Sequence, residues 1–271
     1  MPRRLFVGFC LVPLGIVVLA FFVLPLVRLL QVGASGADGL AAYWAILTTP
    51  RYRESLVATL ALAIATTLST LIVATIAGLF LQRNAFPGRS LLIAMLTFPL
   101  AFPGVVVGFM IILLAGRLGL VADVARILTG QRLVLAYSAS GLFLGYLYFS
   151  IPRVILTVMA SVEKLDPSLE EAARALGAGP WAVYRDVILP ALTPAFVASG
   201  AIAFATAMGA FGTAFTLAGR SDVLPMVIYT EFTLNANIPM AAALSFGLGT
   251  VTWLALALAR SLGGSSVAAT G

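Results

Sequence analysis

The stretch SLLIAMLTFPLAFPGVVVGFMIILLAG, residues 90–116, contains no Asp, Glu, Lys or Arg. A helix needs about 20 mostly apolar residues to cross the roughly 30 Å hydrocarbon core of a bilayer, so this stretch is long enough to span one. A membrane-spanning β-strand needs only about 10 residues, and backbone groups in lipid must be hydrogen-bonded internally, so we predict a helix. The stretch therefore indicates an integral membrane protein.

Five further uncharged runs lie on either side of this stretch. Together they give six predicted spans: 5–27, 55–82, 90–116, 133–152, 191–219 and 232–259. The composition agrees, since 61% of the 271 residues are hydrophobic and 10% are charged, and the mean hydropathy is +1.09. We expect an all-α polytopic fold, with residues 1–271 forming a single transmembrane domain.

The distribution of basic residues predicts the orientation. Six spans place both termini on one side, and a cytoplasmic N-terminus puts slightly more of the 16 Lys and Arg residues inside than outside,. The first run is longer than a signal-peptide core and is followed by Arg28, so we expect an uncleaved span, with Cys10 packing inside it,. The net charge of +6 is spread over loops on both sides, which predicts membrane lipid rather than nucleic acid as a partner,.

The residue inventory excludes several kinds of chemistry. The chain has no His and one Cys, which removes His-based catalytic triads and zinc or haem ligation,. Lys164 is the only lysine and follows Glu163, so the phosphate-binding motif GxxxxGK[ST] is absent,. We expect no catalytic residue, metal or cofactor, and any ATP hydrolysis must belong to a partner chain.

The predicted spans are also uncharged throughout. Ion-coupled carriers place ionisable groups at mid-membrane, so a self-powered carrier is disfavoured. A channel would need a filter of neutral groups, and no TVGYG-like motif occurs,. An ATP-independent channel or carrier nevertheless remains the alternative from a different functional class.

Two spans have an unusual composition. Pro99 and Pro103 are predicted to kink the third span, either lining a cavity or only shaping the packing,. The fifth span is rich in Gly, Ala, Ser and Thr, which allows close helix approach and predicts a central position or a subunit interface,.

The loop over residues 160–190 gathers charge between the fourth and fifth spans. Asp166 followed by Pro167 predicts a helix start, and Gly177 predicts its end,. A second short helix is predicted from Pro180 to a stop before Pro190. The first helix has an apolar stripe of Leu169, Ala172, Ala173 and Leu176 and a polar side of Glu170, Glu171 and Arg174,. Such an element either occupies a groove in another protein or covers the helical bundle.

The spacing within this loop resembles the EAA loop of binding-protein-dependent ABC importer permeases. The family pattern is EAA, three residues, Gly, nine residues, Ile, one residue, Leu-Pro. Six positions match in register: Glu171, Ala172, Ala173, Gly177, Leu189 and Pro190. The Ile position holds Val187, a conservative departure. The resemblance extends over about residues 50–260.

This resemblance implies a permease subunit in a bacterial inner membrane. It implies a dimer of cytoplasmic ATPases, a second permease subunit and an extracytoplasmic solute-binding protein as partners. The loop helix would be the coupling helix, moved by ATP-driven closure of the ATPases. Glu171 would be a charged contact, Ala172 and Ala173 would allow close approach, and Gly177 would set the turn. The face of the helix that meets the ATPase remains open, with the apolar stripe and the polar side as alternatives.

Only a weaker resemblance indicates which solute is transported. Residues 209–232 resemble the spermidine/putrescine branch of these permeases, which implies a polyamine, with iron(III), sulfate/molybdate and phosphonate as alternatives. Asp222 and Glu231 would be exposed carboxylates that attract a polycation or are only solvated surface,. Five residues are candidates for lining the solute path: Phe98, Phe102, Tyr146, Phe211 and Thr213.

Overall fold

A computed structural model describes residues 3–217 and 223–262, with side chains described for 11–217 and 223–261. Over these residues the chain is helical and contains no strand. The α-helices are α1 Arg3–Val18, α2 Leu24–Gly33, α3 Ala45–Thr48, α4 Pro50–Arg83, α5 Arg89–Thr97, α6 Gly104–Ala115, α7 Leu120–Thr129, α8 Ala139–Val162, α9 Pro167–Ala175, α10 Pro180–Val183, α11 Leu189–Met208, α12 Phe211–Leu217, α13 Leu224–Thr233 and α14 Ile238–Leu262. The Cys10 side chain and the tail 263–271 lie outside the described residues.

Six helical segments of the described chain are long and apolar enough to cross a membrane. They are Leu11–Gly33, Pro50–Arg83, Gly104–Thr129, Ala139–Val162, Pro180–Met208 and Ile238–Ser261. The all-α, six-span prediction is therefore confirmed. The predicted and observed bounds differ most for the third and fifth segments, because the helices break or continue there at positions that the prediction did not place.

The predicted third span, 90–116, is broken rather than kinked. Helix α5 leads into a 3₁₀ turn at Phe98–Ala101, and Phe102 and Pro103 are extended before α6 begins at Gly104. A residue before proline is disfavoured in the α region, and Pro103 has no N–H to continue the helix, which together explain the break. The predicted fifth span, 191–219, is also divided, because α11 ends at Met208 and α12 begins at Phe211.

The predicted stop before Pro190 is wrong. A π-helical turn at Tyr184–Ile188 joins α10 directly to α11, with the N–H of Leu189 donating to the carbonyl of Tyr184. A second π-helical turn, Leu19–Val23, precedes Leu24 in the same way and joins α1 to α2. In both cases a Leu-Pro pair follows, so the wider turn places the proline in the first turn of the next helix, where its missing N–H is tolerated,.

The described residues form two compact units. The second unit includes the described residues of 57–217, 223 and 252–262, and its main core lies where α4, α8 and α11 pack together. Buried members of this core include Ala74, Leu81, Val154, Val158 and Leu192. The first unit covers 1–56 and 224–251. In it, the Tyr43 hydroxyl donates to the Leu30 carbonyl, and the Tyr43 ring meets Phe246 edge-on at 5.7 Å between ring centroids.

Candidate coupling helix and solute cavity

The predicted loop helix is present as α9, and its start is fixed by Asp166. The N–H of Ser168 donates to Asp166 Oδ1 at 2.9 Å, and Pro167 occupies the first turn. The same hydrogen bond stabilises the ionised carboxylate and lowers the pKa of Asp166 below its ordinary range,. Asp166 therefore acts as a charged N-cap.

The end of α9 is fixed by Gly177. Its φ of +88° lies in the left-handed region, which a residue with a side chain rarely adopts,. The N–H of Gly177 donates to the Arg174 carbonyl at 2.9 Å, and the N–H of Ala178 donates to the Ala173 carbonyl at 3.0 Å. These two bonds form a Schellman cap, so Gly177 reverses the chain toward α10 as predicted.

One side of α9 faces the rest of its own unit. Arg83, the last residue of α4, forms a salt bridge with Glu170 Oε1, and Arg174 Nη2 lies 3.6 Å from Glu170 Oε2. The Glu170 side chain is only 15% exposed. Ala173, three residues on, packs against the main core. The inward side of α9 is therefore defined by Glu170 and Ala173.

The opposite side of α9 is open and mostly apolar. Leu176 is 89% exposed and Leu169 is 54% exposed, and Ala172 lies exposed between them. We call Leu169, Ala172 and Leu176 the outer row. Trp181 of α10 is 70% exposed and stacks on Tyr184 with ring centroids 5.6 Å apart. The predicted apolar stripe is thus divided, with Ala173 turned inward and the outer row turned away from the unit.

The remaining four residues of the EAA pattern are all exposed, at two different places in the loop. Glu171 and Gly177 lie beside the outer row, and Leu189 and Pro190 lie in the first turn of α11. Sequence reasoning gave Glu171 the role of charged contact and did not foresee that Glu170 is engaged by Arg83. The pairing joins residues 87 positions apart, and no local pattern reports it.

A cavity of about 300 Å³ lies beside the two helix breaks. The residues around it are Pro99, Leu100, Phe102, Gly104, Phe149, Arg153, Thr206, Gly209, Ala210, Gly212 and Thr213. The Thr213 hydroxyl donates to the Gly104 carbonyl at 3.1 Å, which ties the start of α12 to the start of α6. The two breaks are therefore held together at the cavity wall.

Two of the five predicted path residues, Phe102 and Thr213, line this cavity. Phe98 lies outside its lining and contacts Phe102 edge-on at 4.9 Å between centroids. Tyr146 is buried, and its hydroxyl donates to the Ala210 carbonyl at 3.1 Å, which supports the second break. Phe211 also lies outside the lining, with its ring 5.5 Å from Phe215.

Arg153 is the charged residue of the cavity lining, and sequence reasoning missed it. The fourth span was predicted to end at residue 152, with Arg153 at the cytoplasmic edge. Helix α8 instead continues to Val162, so Arg153 lies within a membrane-spanning segment. Its Nη1 donates to the Thr206 hydroxyl at 3.3 Å. The apolar run VILTVMASV after Arg153 was the available signal that the helix continues.

The expectation of two exposed carboxylates is wrong for Glu231. Glu231 is 3% exposed, accepts from the Tyr52 hydroxyl at 3.1 Å and lies 3.5 Å from Arg51 Nη1. It is therefore an internal anchor of the first unit. Asp222 lies outside the described residues. No group of His, Cys, Asp and Glu suited to a metal ion occurs in the described part of the chain.

Six spans, a capped helix in the loop before the fifth span and a cavity at broken helices define a membrane permease. Residues 74–266 match the family described as binding-protein-dependent transport system inner membrane component. The chain belongs to this family and is a permease subunit of an ABC importer.

Three similar proteins are named for the transport of sulfate or molybdenum. Sulfate permease 2 of Chlamydomonas reinhardtii, a chloroplast protein, is 32% identical over 260 residues, which cover 93% of this chain and 68% of that protein. CysT, a sulfate permease protein of Escherichia coli, is 31% identical over 209 residues, covering 76% and 74%. ModB, a molybdenum permease protein of E. coli, is 34% identical over 154 residues, covering 55% and 66%. These relatives do not support the polyamine expectation.

Solved structures share the fold. A bacterial alginate ABC transporter chain superposes with a TM-score of 0.78 at 17% identity, covering 96% of each chain. A chain of the MetNI methionine transporter superposes with a TM-score of 0.54 at 20% identity, covering 79% of this chain and 93% of that one. At these identities the likeness shows the architecture and leaves the solute open.

Proposed function

We propose that this permease imports a tetrahedral oxyanion of the sulfate or molybdate class and is driven by separate ATPase subunits through α9. The single observation that carries the coupling role is the outer row, Leu169, Ala172 and Leu176, which α9 presents away from its own unit. The names of the relatives support the solute class.

The outer row has the chemistry of a docking helix. An amphipathic helix binds a groove through apolar residues spaced three or four apart, and the outer row follows this spacing. Two caps fix the helix ends, and the Arg83–Glu170 salt bridge fixes its inward side. A displacement of the outer row by the ATPase would therefore also displace α4, because α9 is attached to α4 and does not move independently. Glu171 adds a charged contact at the edge of the row.

The two sides of α9 have different surroundings. The apolar side of α9, without Ala173, is proposed to meet the ATPase, and the polar side is divided between Glu170 turned inward and Glu171 turned outward. Two ATPases, a second permease subunit and an extracytoplasmic binding protein complete the proposed transporter. The ATPase dimer and the coupling loop then share the cytoplasmic side.

The orientation follows from the same proposal. With six spans, the loop between the fourth and fifth lies on the same side as both termini. A cytoplasmic α9 therefore places the termini in the cytoplasm, together with the turn between Arg83 and Arg89. The Arg83–Glu170 salt bridge supports this topology, because it requires that turn and α9 to lie on the same side of the membrane.

Cysteine cross-linking tests which side of α9 meets the ATPase. In a Cys10→Ser background, Ala172→Cys is expected to cross-link to a cysteine in the ATPase groove within the assembled transporter. Ala173→Cys is the matched control, since it is adjacent but packed inward. Equal cross-linking of both variants, or cross-linking of Ala173→Cys alone, contradicts the proposed orientation.

A further inference from the structure

We infer that Arg153 and Thr206 form an oxyanion-binding station within the solute path of this chain. The inference rests on the proposed function, which supplies the oxyanion class, and it adds a site and a residue that hold the ion on its way through the membrane.

The position of Arg153 first points to a polar path. A charged side chain in a membrane span is costly, and such residues face a bundle interior or a water-filled cavity. Arg153 lies in the fourth span, and its side chain is exposed to the cavity beside the helix breaks. Within the described residues it takes part in no salt bridge, unlike Arg51, Arg83, Arg174 and Arg185. Its charge is therefore not balanced by a carboxylate of the described chain.

The cavity around Arg153 is chemically matched to an anion. Among the described residues, its lining contains one cation, two threonines and no acidic residue. Gly104, Gly209 and Gly212 bring backbone to the wall, because none of them has a side chain to cover it. Gly104 also begins α6, so the positive end of this helix dipole lies at the same wall,. The site therefore carries net positive character and is unfavourable for a polyamine.

The Arg153 guanidinium is positioned by one hydrogen bond to Thr206. The Thr206 hydroxyl donates to the Ile202 carbonyl at 2.7 Å and accepts from Arg153 Nη1 at 3.3 Å. Arg carries five N–H donors in a planar fork that matches pairs of oxyanion oxygens. The Thr206 contact occupies one donor, and no other residue in the described part of the chain accepts from the remaining donors, which are available to a solute.

The size and strength of the site suit passage rather than storage. The cavity of about 300 Å³ accommodates an ion of five non-hydrogen atoms with several waters, since liquid water takes about 30 Å³ per molecule,. A conducting site must bind well enough to admit the ion and weakly enough to release it. One arginine with one hydroxyl meets this requirement better than a closed cage of several cations.

The test uses the complete transporter in proteoliposomes, with the ATPases, the second permease subunit and the binding protein. Uptake of radioactive sulfate and of molybdate is measured for wild type, Arg153→Gln, Arg153→Lys and Arg126→Gln. Arg126 is the matched control, because it is exposed in the last turn of α7, at the end of its membrane-crossing segment, and lies outside the cavity lining. Arg153→Gln is expected to lower the uptake rate by about tenfold or more, since it removes charge-assisted hydrogen bonds. Arg153→Lys should retain part of the rate, and Arg126→Gln should match wild type.

The outcomes separate this site from the proposed function. If wild type and Arg153→Gln take up the oxyanion at equal rates, the proposed binding site is wrong, whereas the proposed function is still supported. Failure of wild type to import either oxyanion overturns both. If Arg153→Gln does not assemble, Thr206→Val decides, because it keeps the charge but releases the guanidinium. A several-fold lower uptake is then expected, and unchanged uptake overturns the site.

Discussion

Arg83 at the end of α4 forms a salt bridge with Glu170 on α9, and this pair connects the proposed coupling helix to a membrane-spanning helix. Glu170 is the residue directly before the EAA motif, and its side chain is mostly buried. The pair therefore distinguishes two adjacent glutamates, one holding α9 in place and the other, Glu171, available at the surface.

Breaking the Arg83–Glu170 pair should loosen the coupling without detaching the ATPase. We expect Arg83→Ala to slow solute uptake several-fold while the ATPase still co-purifies. The loss of unfolding free energy should be about 1 kcal/mol or less, because Arg83 is partly exposed to solvent,.

The charge-swapped variant Arg83→Glu with Glu170→Arg controls for this effect. A double-mutant cycle on uptake rate should show that the swap recovers part of the lost activity. Loss of activity that is additive over the two substitutions would contradict a direct role of the pair.

A charge in the outer row should detach the ATPase. Leu176→Asp places an unpaired carboxylate in the proposed apolar contact, which is costly to bury. We expect the ATPase to be lost on co-purification and uptake to be abolished. Leu234→Asp is the matched control, since Leu234 is 75% exposed and Leu176 is 89% exposed, and Leu234 lies outside residues 160–190 and outside the six membrane-crossing segments. Normal ATPase binding by Leu176→Asp would rule out the outer row as the contact.

The cap at Asp166 gives α9 a pH dependence. The folded-state pKa of Asp166 is lowered by the Ser168 N–H, so the carboxylate stabilises α9 above its unfolded pKa of about 4,. This contribution is lost as the pH falls through the lower folded pKa. Hydrogen exchange of the first-turn amides of α9 should therefore be faster in Asp166→Ala than in wild type at neutral pH. Asp166→Asn keeps an accepting oxygen and should lie nearer to wild type, and identical exchange in all three proteins would contradict the capping role.

The contact between α6 and α12 should tolerate no side chain at Gly108. A methyl group there would overlap Thr216, whose hydroxyl also donates to the Thr213 carbonyl at 3.0 Å. Gly108→Ala should lower the free energy of unfolding by about 1–3 kcal/mol, as overpacked cores do. The measurement is the melting temperature in detergent.

Gly249→Ala serves as the control for this substitution. Gly249 lies in α14 with open space around the added methyl group, so alanine should be neutral or stabilising,. Equal melting temperatures for Gly108→Ala and wild type would contradict the close packing of α6 against α12.

The sequence predicted the helices and caps whose causes are local. Asp166 with Pro167 and Gly177 bound α9 through contacts within a few residues, and long uncharged runs report membrane spans directly. Features set by distant residues were not predictable. Glu231 is internal because Tyr52 and Arg51 meet it from far along the chain. Glu170 faces inward because it pairs with Arg83, which lies 87 positions away in the sequence.

This permease is proposed to import a sulfate- or molybdate-type oxyanion at the expense of ATP hydrolysed by partner subunits. The most direct test is uptake by the complete reconstituted transporter, with sulfate, molybdate and spermidine offered separately, with and without ATP. We expect the transporter to take up sulfate or molybdate only when ATP is present, and to take up no spermidine. Uptake of spermidine alone, or oxyanion uptake that proceeds equally without ATP, would contradict this proposal.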